Sequence, residues 1–143
     1  MSALFILAGL KAYARSGLLA TVEGWDQLFS LSSAMLKQRY GEMVSCHLGS
    51  TSSVLPQLVQ SLGRIDFMFH DAGHSREDCI NDFKQVVESL APGAVVLFDD
   101  IRWNVPKVAR NLHTYEGWQA VVAHPRVRRA IEIDGSLGLL LMA

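Results

Sequence analysis

The chain has little cysteine, no excess of either charge and no long apolar run, and each shortage removes a class of protein. Cys46 and Cys79 are too few and too isolated for a disulfide framework or a zinc site, which points to a reducing, cytoplasmic setting. Thirteen Lys and Arg stand against fourteen Asp and Glu, a net charge of −1, so no cationic field exists to hold a nucleic-acid backbone. The short cluster of Arg126, Arg128 and Arg129 reads as a solvated loop or strand edge. No stretch approaches the roughly 18 apolar residues that span a bilayer, and no partner membrane is expected. Residues 3–10 followed by Ala12-Tyr13-Ala14 imitate a signal peptide, but no Lys or Arg precedes the apolar run. Internal repeats, low-complexity tracts and linkers are also missing. The expectation is therefore a single continuous domain, residues 1–143, with half its residues apolar and enough chain to bury a substantial core.

What is present is an alternation of apolar strands and helices. Helical spacing predicts a helix over residues 2–14, closed by Gly17. A short apolar strand over residues 18–22 ends in Glu23, and Asp26 stands where it can cap a helix running to about Tyr40. Residues 43–47 form the next strand. The polar turn Gly49-Ser50-Thr51-Ser52-Ser53 offers hydroxyls to cap a following helix, whose first turn then has to accept Pro56. Ile65–His70 is a continuous apolar strand, and Ser75 with Asp78 is a capping signal for a helix with Ile80, Phe83, Val86, Val87 and Leu90 on one face. Pro92-Gly93 turns into a strand over residues 94–98. A helix is expected over residues 105–113 and a strand over residues 118–123. Val127–Ile133 and Leu137–Met142, joined through Asp134-Gly135, read as a hairpin. Strands alternating with helices predict an α/β fold, a mostly parallel sheet with helices on both faces and an antiparallel C-terminal end.

The chemistry gathers where strands end. In open α/β sheets ligands collect outside the carboxyl ends of the strands. Ile65–His70 delivers Asp71, with His74 three residues on, and residues 94–98 deliver Asp99 and Asp100. Three carboxylates brought together repel one another unless a cation neutralises them, and oxygen-only ligation favours Mg²⁺, Mn²⁺ or Ca²⁺. The competing reading is that Asp99 or Asp100 caps the next helix and Asp71 hydrogen-bonds a backbone turn. His74 can act as a general base or order its own turn, while His70, inside a strand, reads as structural. His47, His113 and His124 carry no signal. Glu23 at a strand end can accept both hydroxyls of a ribose, as in dinucleotide-binding folds. Gly49, Ser50 and Thr51 offer a close backbone approach and small hydroxyls beside an adenine, or simply a helix cap. Arg102 and Trp103 can wall a pocket or pack.

Taken in order, these segments resemble one family, the class I S-adenosylmethionine-dependent methyltransferases, and within it the small-molecule O-methyltransferases. Leu19-Ala20-Thr21-Val22-Glu23 is similar to the family's second strand, whose terminal acid holds the cofactor ribose. Gly49 to Leu58 is similar to the segment bordering the adenine, and Ile65 to Ser75 and Leu90 to Asp100 resemble the fourth strand and the proline-glycine turn into the fifth. The resemblance implies a Rossmann-like doubly wound sheet, S-adenosylmethionine as methyl donor, a small-molecule acceptor, and Mg²⁺ on Asp71, Asp99 and Asp100 as in cation-dependent members. It places Glu23, Gly49, Ser50 and Thr51 at the cofactor; Asp71 is a candidate for the cofactor and for catalysis, and His74 stays a candidate base, since the acceptor base varies in the branch described next. The Asp-x-x-His-Ser form resembles a branch that includes sugar and antibiotic-tailoring enzymes.

Family members begin with a strand and a glycine-rich loop, and Met1 to Phe5 resembles the helix that follows that loop. The expectation is thus a fold truncated at its N-terminus. The strand of Glu23 would then close against that of Asp71, or another chain would supply the pairing in a homo-oligomer. Two rival functions follow: a truncated fold without catalysis that serves as an interaction module, and a metal-dependent hydroxylase-like member, since fold does not dictate function.

Overall fold

The computed structural model describes residues 2–13, 16–102 and 113–143. Contacts divide the chain into two compact units, Met1–Val54 and Leu55–Ala143. In the first, α1 (Ser2–Tyr13), β1 (Leu19–Glu23), α2 (Asp26–Tyr40) and β2 (Val44–Leu48) lead into α3 (Thr51–Leu62), which crosses into the second. Strands β1 and β2 are parallel, from Leu19 opposite Val44 to Glu23 opposite Leu48. Their core is Leu7 of α1, Leu36 and Tyr40 of α2 and Val44 of β2.

Local chemistry shifts several expected boundaries here. Trp25, not Asp26, occupies the N-cap of α2 in an extended conformation and without a side-chain bond. Asp26 is the first helical residue, where its charge still complements the helix dipole. Met43 belongs to a 3₁₀ turn, Gly41–Met43, so β2 begins at Val44. Pro56 lies in the second turn of α3 instead of the first. Its missing N–H forfeits one helical bond, and burial of Leu58 and Val59 carries the helix past it. The end of the first predicted helix, Ala14, lies outside the described residues.

The second unit holds β3 (Ile65–His70), α4 (Arg76–Val86), β4 (Leu90–Phe98), α5 (Thr114–Val122), β5 (Val127–Ile133) and β6 (Leu137–Met142) in a sheet of order β3-β4-β6-β5. Strands β3 and β4 are parallel, and β6 runs antiparallel to both β4 and β5. The α/β class, the parallel sheet and the antiparallel C-terminal end are as expected. Among the described residues, however, β1 pairs with β2 alone and β3 with β4 alone, so Glu23's strand does not close against Asp71's.

The core of this unit is one cluster, including Phe83, Val86, Leu90, Val96, Phe98, Ile101, Trp118 and Leu140. Helix α4 buries Cys79, Asp82, Phe83 and Val86 and stops there. Val87 falls in a 3₁₀ turn and Leu90 opens β4, correcting the longer face expected for α4. The expected strand over residues 118–123 is mostly helix α5. Thr114, Gly117, Trp118 and Val121 are its buried residues, the i, i+3, i+4, i+7 spacing of one helix face. Gly117 is required there: a Cβ would lie 2.8 Å from Cys79 Cβ. Asp134 (φ 51°) and Gly135 (φ 66°) turn the β5–β6 hairpin, a left-handed pair that suits the twist of antiparallel strands. Arg126 is not solvated but half-buried, donating to the carbonyls of Val87 and Leu90 (2.6 Å to the latter), whereas Arg128 and Arg129 are exposed. Of the helix expected over residues 105–113, residues 105–112 lie outside the described residues, as does Trp103. Among the described residues no helix is long and apolar enough to cross a membrane.

Candidate functional site

Two groups of the expected residues come together, one in each unit. In the first unit Glu23 ends β1 and Gly49 follows β2, at the carboxyl ends of adjacent parallel strands. Gly49 N donates to Glu23 O at 2.9 Å, which ties the two ends together. The half-buried Glu23 carboxylate accepts from Trp25 N through Oε1 at 3.0 Å, and a carboxylate offers about four lone-pair sites, so acceptor capacity remains for a vicinal diol. Gly49 has φ 145°, and a Cβ there would sit 2.8 Å from Val54 Cγ2. The glycine is thus demanded by the first turn of α3. Ser50 O accepts from Ser53 N (3.1 Å) and Val54 N (3.0 Å), while its hydroxyl bonds those of Ser52 and Ser53. Thr51 opens α3. The turn is both a helix cap and a small, hydroxyl-rich edge beside Glu23.

In the second unit β3 and β4 end side by side, and Asp99 N donates to His70 O at 2.9 Å. Asp71 is exposed just beyond β3. His74 is half-buried, its carbonyl taking a bond from Thr114 Oγ1. Its Nε2 lies 3.6 Å from Asp100 Oδ2. The capping box expected at Ser75 is present: Asp78 N donates to Ser75 Oγ at 3.0 Å and Ser75 N to Asp78 Oδ2 at 3.2 Å.

The acids do not assemble as expected for a divalent cation. Asp99 turns Oδ1 to its neighbour's amide, Asp100 N, at 3.0 Å. Asp100 has φ 52°, a left-handed conformation that Asp adopts more readily than most residues. That turn directs its carboxylate to His74 and to Ser136, whose Oγ donates to Oδ1 at 3.4 Å. Among the described residues no three of His, Cys, Asp and Glu are grouped to hold a metal ion. Asp99 thus bonds its own turn, while the helix that it or Asp100 was expected to cap falls mostly outside the described residues, and Asp100 faces His74.

Three features escaped the sequence reading. His70 Nε2 and Asp82 Oδ2 form a buried pair at 3.1 Å. Asp82 sits three residues from Cys79 on the buried face of α4, and a carboxylate on an apolar helix face demands a partner, which was the available signal. Arg102 lies over the Tyr115 ring, 4.1 Å from its centroid, and bonds Glu132 Oε2 through Nε (2.9 Å) and a terminal nitrogen (2.7 Å). Trp118 Nε1 also donates to Glu132, at 3.1 Å. The Arg102 hydrogen bond holds the Glu132 carboxyl below the usual range. Burial, with the negative charges of Asp78 and Asp82, pushes the Cys79 thiol up to about 11.

A family model described as a methyltransferase domain matches residues 1–101. None of the curated proteins matches the chain in sequence. Among solved structures, the O-methyltransferase from Bacillus cereus in complex with SAH superposes with a TM-score of 0.76 at 16% identity, over 96% of this chain and 68% of that one. TomG, an O-methyltransferase from Streptomyces achromogenes involved in tomaymycin synthesis and bound to SAM, gives 0.72 at 20%, over 96% and 67%. MycE, a methyltransferase of the mycinamycin pathway in complex with Mg, SAH and mycinamycin VI, gives 0.68 at 11%, over 96% and 39%. The chain thus spans about two thirds of the first two and far less of the third.

Proposed function

The chain belongs to the methyltransferase domain family, with the fold of the class I S-adenosylmethionine-dependent enzymes, and from that membership we propose that it methylates a hydroxyl of a small molecule or sugar. The observation that carries the reading is the juxtaposition of Glu23 with Gly49, Ser50 and Thr51 at the carboxyl ends of β1 and β2. These residues fit a nucleoside: the Glu23 carboxylate would accept from the ribose hydroxyls, and the turn would border the adenine. Bound there, S-adenosylmethionine would supply an electrophilic methyl group, its S–CH₃ bond breaking to leave the thioether S-adenosylhomocysteine. In the second unit His74 takes the proton that a hydroxyl loses as its oxygen acquires the methyl group. Asp100 Oδ2, 3.6 Å from Nε2, stabilises the imidazolium that results. Asp71, exposed just beyond β3, would bind the acceptor. A small-molecule acceptor is supported by the likeness to TomG, involved in tomaymycin synthesis, and to MycE, held in complex with mycinamycin VI, and the free thiols Cys46 and Cys79 fit a reducing cytoplasm.

Calorimetric titration with S-adenosylmethionine tests the donor side. Glu23→Ala is expected to weaken binding about ten- to hundredfold, the loss of hydrogen bonds to a charged group; a folded parent protein that binds no donor sinks the proposal. On the acceptor side, His74→Ala is expected to lower kcat by about 10²–10⁴ at unchanged donor affinity, with a chelator having no effect. Activity that survives His74→Ala but not chelation would reverse the assignment.

A further inference from the structure

His70 and Asp82 have no part in the reaction so far, yet both are all but hidden, with side chains 4% and 3% exposed and Nε2 and Oδ2 3.1 Å apart. A carboxylate only accepts, so the facing ring nitrogen donates to it. Burying such a pair is costly, and apolar residues of similar volume often serve stability as well or better. Stability alone therefore does not account for it.

What the pair joins is more telling. His70 is the last residue of β3 and Asp82 lies on α4; between β3 and α4 runs the five-residue segment 71–75, carrying Asp71 and His74. The His70 ring also stacks on Phe98, the last residue of β4, at 4.9 Å. Its carbonyl accepts from Asp99 N at 2.9 Å. One residue thus ties the end of β3 to α4 and to the end of β4. The far side of the segment is held by the Ser75–Asp78 capping box and by Thr114 on the His74 carbonyl. Gly73 is pressed against that box, since a Cβ there would collide with the Asp78 carboxylate.

We propose that His70 and Asp82 are a positioning pair, which anchors the start of the 71–75 segment so that Asp71 and His74 stand ready at the end of β4. Such pre-organisation lowers the barrier by removing the cost of ordering the base during the reaction. The inference rests on the role given above to His74.

The test is the double variant His70→Phe with Asp82→Leu, which keeps a ring on Phe98 and fills the space but removes the hydrogen bond. Two readouts are taken on the full chain: amide hydrogen exchange across residues 71–75, and kcat against donor affinity. We expect exchange in the segment to rise about tenfold or more, as for a locally loosened region, while amides of β4 and β6 stay protected. We also expect kcat to fall about tenfold or more, the cost of a misplaced catalytic group, at unchanged affinity for S-adenosylmethionine. Asp82→Asn, which preserves an acceptor, should restore most of both. Unchanged exchange across 71–75 in the folded double variant overturns the proposal, as does faster exchange with kcat unchanged. Should that variant fail to fold, His70→Asn, whose shorter side chain draws the donor away from Asp82, is judged by the same two readouts. If the parent binds no donor, the functional reading fails separately and exchange alone decides the pair.

Discussion

The two compact units bury their apolar residues to different extents. Among the described residues, the core of Leu55–Ala143 contains fifteen buried side chains, from Val59 to Met142, whereas that of Met1–Val54 contains four. The second unit has a four-stranded sheet, the Arg126 contacts to two carbonyls and the Arg102–Glu132 network. The first has two strands, and α2 leaves Leu28, Leu31 and Met35 at 52%, 75% and 47% exposure. Two strands are marginal by themselves. The residues proposed for the methyl donor therefore stand on the thinly packed unit, and those proposed for proton transfer on the densely packed one. A donor that binds the first unit would stabilise it by mass action, so binding and folding there are expected to be coupled.

Deleting a core side chain from each unit probes this contrast most forcefully. Phe83, 2% exposed, touches the rings of Phe98 and His124 (centroids 6.4 and 5.4 Å away). Phe83→Ala is expected to cost about 3–5 kcal/mol, and Leu36→Ala, in the smaller core, about 2–3 kcal/mol. Denaturant unfolding followed at each unit measures both. Equal losses, with each transition shifted alike by either variant, would show that the two cores unfold as one and would break the contrast.

Much of the second unit was legible because its signals are local. Ile65–His70, Val127–Ile133 and Leu137–Met142 occupy the residues expected of them, marked by apolar runs and by the turn at Asp134-Gly135. Residues 118–123 read as a strand because Trp118, Val121 and Val122 suit one, while the deciding helical spacing reaches back to Thr114. In the site, the acid at each strand end was readable, whereas only the family resemblance brought Glu23 and Gly49 to one ligand. The direction of Asp100 was not, since it follows from a left-handed turn and from Ser136, 36 residues away in the hairpin. Asp82 likewise acquires its meaning only when α4 packs against β3.

The cysteines give a reporter in each unit, Cys46 half-buried on β2 and Cys79 1% exposed on α4. A thiol reagent at pH 8 is expected to label Cys46 first and Cys79 only as the second unit opens; labelling of both at one rate at every denaturant concentration would refute the contrast. Reactivity follows the thiolate, and the Cys79 thiol is raised from 9.0 to about 11. Its folded value lies above its unfolded one, so the stability it contributes is full below pH 9 and is lost as pH rises from 9 toward 11. Cys79→Ala should flatten that alkaline decline.

At the acid side the sign reverses for Glu132, whose carboxyl Arg102 holds low. The stability it contributes is present above the ordinary carboxylate range, about 4.3, and is lost as pH falls through the lower folded value. The effect is small, because the pair is largely solvent-exposed and screened. Glu132→Gln should make unfolding less sensitive to acid below the ordinary carboxylate range, about pH 4.3, and an unchanged acid profile would remove Arg102 and Glu132 from the account of the second unit's stability.

The smallest effect is expected on the exposed stripe of α2. Leu31 is 75% exposed, and a surface substitution clear of caps and ion pairs usually changes stability by no more than about 0.5 kcal/mol. Leu31→Glu is therefore expected to leave the unfolding midpoint almost unmoved, in contrast to Leu36→Ala five residues along the same helix. A midpoint shift worth more than about 1 kcal/mol, beyond that surface range, would mean that the stripe is covered in solution. The first unit would then own a larger core than Leu7, Leu36, Tyr40 and Val44 provide, and the imbalance between donor-binding and proton-transferring units would shrink accordingly.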